Sequence, residues 1–318
     1  MLGIHSAEAF EQMALSLFRA QRLTNPVYKQ WCESLAIGVE DVQKLEDIPY
    51  LPIAFFKTHN VLCEGSPQQR LFKSSGTGGE RSQHWISDED LYRSLSITAF
   101  ESFFGTLQQR PVFALLPHYL ENGESSLVAM CQYFMEASGH LASGFFLNEP
   151  QKLLETMGPY LHHSPAPILI GASYALLDLA ESHSPKLGNT LVFETGGMKG
   201  RKHEMVRDEL HLHLRNGLGV SKIYSEYGMT ELLSQAYLLE EDSFVCPPWM
   251  QLRLRDARNP LDRSNRVNRG CINIIDLANR HSCAFIATDD LGERSPQGIR
   301  ILGRLDSADI RGCNLLVI

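Results

Sequence analysis

The sequence predicts an α/β protein: a largely parallel, helix-covered sheet followed by a smaller β-rich subdomain. Three observations carry this reading. Between Pro111 and Ser225, strand-like and helix-like patterns alternate, as they do where crossover helices connect parallel strands. After Phe244 the pattern changes to short apolar runs separated by turns. The length of 318 residues, with 43% hydrophobic and 21% charged, is enough for one large α/β domain or two smaller ones. The expected division lies at residue 243, with a helical N-terminus and α/β core over 1–243 and the β-rich segment over 244–318.

The elements follow in order. Ala7 to Arg22 has helical period, with Phe10, Met13, Leu17 and Phe18 on one face. Asn25-Pro26 ends it, and a second helix is predicted from about Tyr28 to Leu35. Pro49 and Pro52 keep the next stretch extended. Phe72 ends a short strand, and Trp85-Ile86-Ser87 leads into a helix capped at Ser87, with Glu89 and Asp90 in its first turn. Then come a buried strand at Pro111–Leu116, a helix at Ser125–Ser138 closed by Gly139, and a strand at Ala166–Ile170 with a helix to Ser182. Leu191–Glu194 is a strand, Arg201–Leu214 a helix and Lys222–Ser225 a short strand. The β-rich tail holds strands at Trp249–Leu254, Gly270–Asp276, Ser282–Thr288 and Ile299–Gly303. There are no internal repeats or low-complexity segments.

Bulk properties exclude several classes. A net charge of −8 argues against general affinity for nucleic acid or anionic membrane. The basic stretch Arg253 to Arg280 also contains Asp256, Asp262 and Asp276, and reads as a solvated strand-and-loop region. No apolar run is long enough to span a bilayer, and the N-terminus lacks a signal-peptide pattern. The seven cysteines are scattered without a CxxC pair, which speaks against structural zinc and a disulfide framework and for a reducing cytoplasm. Among the 12 histidines, His211 and His213 point to different sides of a helix, so no histidine metal site is expected.

The most informative stretch is Leu71-Phe72-Lys73-Ser74-Ser75-Gly76-Thr77-Gly78-Gly79-Glu80-Arg81-Ser82. Glycines permit positive φ and close approach, so backbone N–H groups can fold around phosphate oxygens. Ser74, Ser75 and Thr77 add neutral donors, and Arg81 adds a fixed charge. It is not a Walker loop, because no Lys-Ser/Thr pair follows the last glycine. A plain surface turn is the alternative.

Tyr224-Ser225-Glu226-Tyr227-Gly228-Met229-Thr230-Glu231, Ala287-Thr288-Asp289-Asp290-Leu291-Gly292 and Gly303-Arg304-Leu305-Asp306 follow in that order. With the loop, they resemble the adenylate-forming superfamily of acyl-CoA synthetases and luciferase-like ligases. Within it, the chain looks most like the acyl-protein synthetases of the bacterial fatty-acid reductase complex. Phenylacetate-CoA ligases look like a nearer cousin than most. The particular reminders are Glu194-Thr195-Gly196-Gly197-Met198-Lys199-Gly200-Arg201 and the ending Ala308-Asp309-Ile310-Arg311-Gly312-Cys313-Asn314-Leu315-Leu316. The resemblance runs from about Ile48 to the last residue.

The resemblance implies the N-terminal domain of an adenylate-forming enzyme that uses ATP and Mg²⁺ on a carboxylic, by this likeness fatty, acid. It implies that Glu231 holds Mg²⁺, that Thr230 contacts phosphate and that Tyr227, beside Gly228, packs on adenine. A helix N-terminus capped by Thr230 is the alternative for that segment. The resemblance also implies that the Gly196-Gly197 backbone passes along the adenine, that Asp290 or its neighbour Asp289 bonds the ribose and that Arg304 reaches the nucleotide. An ordinary turn is the alternative for the aspartates. The segment Pro117 to Ser126 looks like the loop over the acyl site, so His118 and Ser126 face the acid, or Ser125 simply caps a helix.

The relatives with a mobile C-terminal domain carry a catalytic lysine there, whereas this sequence ends at Ile318 and has no lysine after Lys222. The acyl-protein synthetases also end near this point and carry the acyl group on a cysteine that Cys313 matches. The expected partner is an acyl reductase or acyl carrier protein. A buried structural cysteine is the alternative for Cys313. Two other functions stay open: a CoA ligase with a separate C-terminal partner, and a non-catalytic adenylate-binding subunit. Ile168 to Ala175 also resembles a nucleophile elbow, in which Ser173 would serve a hydrolase.

Overall fold

The computed structural model describes residues 4–75, 80–116, 124–196, 205–240 and 243–304. These form two compact units. One groups Met1–Tyr92 with Thr230–Ser234 and Glu240–Ile318; the other holds Arg93–Met229 and Gln235–Leu239.

The first unit opens with α1 (Ala7–Thr24) and α2 (Pro26–Ser34). They meet at Asn25, whose N–H still bonds the Gln21 carbonyl of α1 while its side chain accepts from Tyr28 N–H of α2. Proline at the first position of α2 suits a helix start, where an N–H has no partner. The buried face of α1 is Phe10, Ala14, Phe18 and Gln21, so the apolar stripe is rotated away from the expected Met13 and Leu17. Gln21 is buried because its side-chain amide donates to the carbonyls of Asn279 (2.7 Å) and Arg280 (3.1 Å) and accepts from Ala284 N–H (3.0 Å). Tyr28 stacks on Phe285, with Phe18 edge-on to both. Short elements follow: β1 (Leu51–Pro52), α3 (Phe55–Thr58), β2 (Arg70–Lys73) and β3 (Gln83–Ile86).

α4 (Glu89–Phe104) begins one residue later than the sequence suggests. Asp88 caps it, accepting from Leu91 N–H at 2.8 Å, while Ser87 is buried with its hydroxyl unpartnered. In the second unit β4 (Val112–Leu115) leads to α5 (Ser126–Ser138), β5 (Gly144–Phe146) and α6 (Pro150–Met157). Then β6 (Ile168–Ala172), α7 (Ser173–His183), β7 (Leu191–Thr195), α8 (Arg207–Leu218) and β8 (Ile223–Tyr227) alternate, and β9 (Ala236–Glu240) follows. The strand order is β9-β8-β7-β6-β4-β5. All pairs are parallel except β8 with β9. The expected Ser125 cap and left-handed Gly139 stop bound α5. β5, α6 and β9 lie outside the predicted elements; β5 and α6 are short. Phe100, Phe104, Phe193, Tyr224 and Tyr237 form an aromatic core on one face of this sheet, with Phe104 and Phe193 rings 4.7 Å apart.

The chain then returns to the first unit as β10 (Ser243–Val245), β11 (Met250–Arg255), β12 (Arg269–Asp276), β13 (Phe285–Ser295) and β14 (Gly298–Arg304). These pair antiparallel in the order β11-β12-β13-β14-β10, with β1 parallel to β13. The segment read as solvated is buried at Arg253, Arg255 and Asp276. Arg253 is buried and pairs with Glu46 at 2.7 Å. Arg255 is buried and donates to the Ile272 carbonyl, Asn273 Oδ1 and the Thr288 carbonyl. The charge of the two arginines reads as surface in one dimension, but both side chains are buried with polar partners. No described helix is long and apolar enough to cross a membrane.

Candidate functional site

In the first unit, β2 and β3 form an antiparallel pair with Phe72 opposite His84 and Lys73 opposite Gln83. The pair closes the base of the glycine-rich loop. Ser74 N–H donates to the Ser82 carbonyl at 3.0 Å, and Ser82 N–H donates to Ser74 Oγ at 3.0 Å. Arg81 Nε donates to the Ser74 carbonyl. The guanidinium is therefore tied to the loop base by one of its donors. Ser75 is exposed. Gly76, Thr77, Gly78 and Gly79 lie outside the described residues.

His84 was not singled out in the sequence, yet it is fully enclosed beside the Phe56 ring. Its Nδ1 lies 2.8 Å from the Thr230 carbonyl. A carbonyl only accepts, so Nδ1 carries the proton. Burial holds the imidazole neutral, with its pKa lowered to about 4. Asn279 Nδ2 donates to the next carbonyl, that of Glu231, at 2.9 Å, and to that of Cys283 at 3.0 Å. Asp276 then accepts from Leu233 N–H (2.8 Å) and Ser234 Oγ (2.6 Å). Three buried side chains thus hold Thr230 to Ser234 from outside, and these residues form turns with no helix for Thr230 to cap. The one available signal was polarity within apolar strand patterns, at His84 and at Asp276 with Asn279.

Glu231 is 4% exposed and Thr230 9%. Burial raises the Glu231 pKa, the Ser82 hydroxyl lowers it by hydrogen bonding, and Arg304 and Asp290 act on it with opposite signs. Asp289 and Asp290 lie inside β13, not in a turn, and Asp290 stands opposite Arg304 in register. Arg304 Nε is 3.5 Å from Asp290 Oδ1. Alternation along a strand sends Asp289 to the other face, where it is exposed. Glu231, Ser82, Asp290 and Arg304 therefore share one neighbourhood, and Asp289 does not. The donors here are hard oxygens, which suit Mg²⁺. Among the described residues no group of three His, Cys, Asp or Glu could hold a metal unaided.

In the second unit, two rows of residues cross the carboxyl ends of β6, β7 and β8. One is Gly171-Glu194-Ser225, the other Ala172-Thr195-Glu226. In the first row Glu194 is buried. Its carboxylate accepts from Ser173 Oγ at 2.6 Å and from Ser225 Oγ. His211 Nε2 and Arg207 Nε approach it at 3.5 and 3.6 Å. Burial opposes its ionisation, but these partners together bring its pKa below the usual value. Ser173 is fully buried and bonded to a carboxylate rather than to an imidazole, so it is not placed as the nucleophile of a hydrolase. His211 and His213 do point apart, His211 inward and His213 outward.

In the second row Thr195 Oγ1 donates to Glu226. Burial and, to a smaller extent, the Glu194 charge push the Glu226 pKa up to about 7. A Cβ on Gly228 would sit 2.4 Å from Glu226 Oε1, so glycine makes room for that carboxyl. Gly196 is exposed with φ of 72°, and Tyr227 ends β8 half-buried. Crevices at the carboxyl ends of parallel strands are where open α/β sheets bind ligands.

No protein-family model and no curated protein sequence matches the chain. Solved structures do. A 2-hydroxyisobutyryl-CoA ligase in complex with 2-HIB-AMP and CoA superposes with a TM-score of 0.71 at 16% identity, over 96% of this chain and 70% of that one. The luciferase-like enzyme of the nonluminescent mealworm Zophobas morio gives 0.53 at 16% identity, over 76% and 59%. O-succinylbenzoate coenzyme A synthetase from Bacillus subtilis, in complex with AMP, gives 0.52 at 16%, over 75% and 50%. The fold is that of the adenylate-forming ligases. Within this adenylate-forming fold, His118, Gly197 and Cys313 lie outside the described residues. So do Asp306 and the segment that carries Lys199.

Proposed function

We propose that the chain activates a carboxylic acid, a fatty acid by its sequence likeness, as an acyl-adenylate and passes the acyl group to a thiol. A carboxylate oxygen attacks the α-phosphorus of ATP, an O–P bond forms and the bond to pyrophosphate breaks. A thiolate then attacks the acyl carbonyl and AMP leaves, which gives a thioester. Cys313 is the proposed acceptor, with an acyl reductase or acyl carrier protein next in line.

The single observation that carries this reading is the Glu231 carboxyl, buried within reach of the Ser82 hydroxyl and in the field of Arg304 and Asp290. A buried carboxylate at the foot of a glycine- and hydroxyl-rich loop suits a cation between two anionic reactants. Mg²⁺, held by Glu231 and phosphate oxygens, would supply charge neutralisation at the α-phosphate. Thr230, Ser74, Ser75, Thr77 and Arg81 would donate to phosphate oxygens. Asp290 would bond the ribose hydroxyls and Arg304 the nucleotide. Tyr227, Gly228, Gly196 and Gly197 would flank the base, and His118 would face the acid. A cytoplasmic location agrees with this chemistry, since the acceptor thiol must stay reduced.

The test is incubation with ATP, Mg²⁺ and radiolabelled fatty and aromatic acids, followed by a denaturing gel with and without hydroxylamine. The expected result is a hydroxylamine-labile label on the protein that disappears in Cys313→Ser. Pyrophosphate release without label on the protein would point to an external thiol such as CoA. Neither pyrophosphate nor label with any acid would overturn the reading and favour a nucleotide-binding subunit.

A further inference from the structure

Thr230 and Glu231 lie in a turn that belongs to no helix or strand, so contacts from elsewhere set their backbone. Peptide groups are planar, and the two planes that meet at a Cα define that residue's φ and ψ. At Glu231 both planes are held. The Thr230 carbonyl, in the plane before Glu231, accepts from His84 Nδ1 at 2.8 Å. The Glu231 carbonyl, in the plane after it, accepts from Asn279 Nδ2 at 2.9 Å. With both carbonyls held, the direction in which the Glu231 side chain leaves the backbone is held as well.

The two donors are themselves locked in place. His84 and Asn279 are each 1% exposed. Asn279 Nδ2 also donates to the Cys283 carbonyl at 3.0 Å, and the Asn279 side chain bears on the His84 ring. His84 lies on β3 opposite Phe72 of β2, in the strand pair that closes the base of the glycine-rich loop. Ser82 stands two residues before it, and its hydroxyl bonds the Glu231 carboxyl. One short segment thus holds the carboxyl through Ser82 and the backbone beneath it through His84. Asp276 fixes the following residues through Leu233 N–H at 2.8 Å.

We propose that His84 and Asn279 are positioning residues that aim the Glu231 carboxylate at a divalent cation carried in on a nucleoside triphosphate. The proposal rests on the reading that this chain binds ATP with Mg²⁺ at Glu231. Neither side chain touches the ion; each acts through one backbone carbonyl. Mg²⁺ demands near-ideal geometry of its oxygen ligands, so a Glu231 free to turn loses metal affinity while the other nucleotide contacts stay intact. A network that only stabilised the turn would lower the melting temperature and leave metal affinity alone.

The test is calorimetric titration of the full chain with α,β-methylene-ATP, whose bridging carbon blocks pyrophosphate release, in Mg²⁺ and again in EDTA. The ratio of the two dissociation constants is the gain due to the cation. The wild type is expected to bind more tightly in Mg²⁺. His84→Leu and Asn279→Ala are expected to bring the gain toward unity with metal-free binding unchanged, since partners behind a metal ligand change affinity by about 10- to 100-fold. His84→Asn, whose amide can donate where Nδ1 did, is expected to keep most of it. Glu231→Gln is expected to abolish the gain, and His84→Leu added to it to change the ratio no further, because both act through one carboxylate. Folded His84 and Asn279 variants with lower melting temperatures and an unchanged gain would overturn the proposal while leaving the Mg²⁺ reading standing. If neither His84→Leu nor Asn279→Ala folds, His84→Gln, which shifts the donor along the side chain, is read in their place, and an unchanged gain again overturns the proposal. A wild type that binds the analogue equally in both conditions would overturn the proposal and the Glu231 assignment but not nucleotide binding. A wild type that binds it in neither would remove acid activation and the proposal together.

Discussion

Two titratable groups shifted in opposite senses give the molecule opposite pH slopes. His84 keeps a neutral ring with a pKa lowered to about 4, against an ordinary 6.5. As pH falls from 6.5 toward 4, the unfolded chain takes up this proton and the folded one does not, so stability falls with falling pH. Glu226 is shifted the other way, from 4.5 to about 7. Between those values the folded state binds more protons than the unfolded, so its share of stability falls as pH rises. Urea unfolding at pH 5 and pH 7.5 should show the His84→Gln variant losing less stability on acidification than the wild type. Glu226→Gln should gain relative to the wild type at pH 7.5. Glu231→Gln should lower pyrophosphate release by a factor of about 100 or more, as expected for loss of a principal charge-stabilising group. Its melting temperature should hold or rise, because burial already works against that carboxylate. A large fall in melting temperature with activity retained would assign Glu231 to structure instead.

At the scale of elements, the second unit depends on close approach between its helices. A Cβ on Gly217 of α8 would come within 2.6 Å of Ala180 Cβ on α7. Gly217→Ala should therefore lower stability by about 1–3 kcal/mol despite alanine's better helix propensity. Thermal melts read the sign directly: stabilisation would mean that the helix pair can move apart at no cost. In the first unit, Gly270 lets the Arg255 carbonyl pass where its Cβ would be, 2.0 Å away. The obstacle there is backbone, so Gly270→Ala should disturb the pairing of β11 with β12 more severely than Gly217→Ala disturbs the helices. Much of this layer was legible in one dimension. The Ser125 cap, the Gly139 stop, and the apolar runs that became β4, β6 and β7 all stand where the sequence puts them. Ends were less legible. β13 continues through Asp289 and Asp290, a stretch whose composition favours a turn: Asp290 pairs with Arg304 of β14, while the pairing with β12 shifts register there.

At the scale of the whole molecule, the N-terminal helix belongs with strands from the far end of the chain. Gln21 makes three hydrogen bonds to residues 279–284, and Asn25 Nδ2 donates to the Ser282 carbonyl at 2.9 Å. Gln21→Ala would leave two carbonyls and one N–H buried without that partner. It should cost about 3 kcal/mol, seen as a lower urea midpoint at unchanged slope. A loss below about 0.5 kcal/mol would show that water replaces the amide.

The sequence by itself determined the class of fold and the alternation that builds the parallel sheet, and it marked the segments around Ser74, Glu231, Asp290 and Arg304 as candidates. These signals are local: period, glycine spacing and residue type are written along the chain. Only the tertiary structure decided that Asp290 and not Asp289 shares a neighbourhood with Glu231, that His84 and Asn279 hold the carbonyls beside it, and that Ser173 serves Glu194 and Gly196 instead of attacking a substrate. Each depends on which strand faces which and on which side chains are buried together. Those are properties of register and burial between distant residues, and no local pattern encodes them.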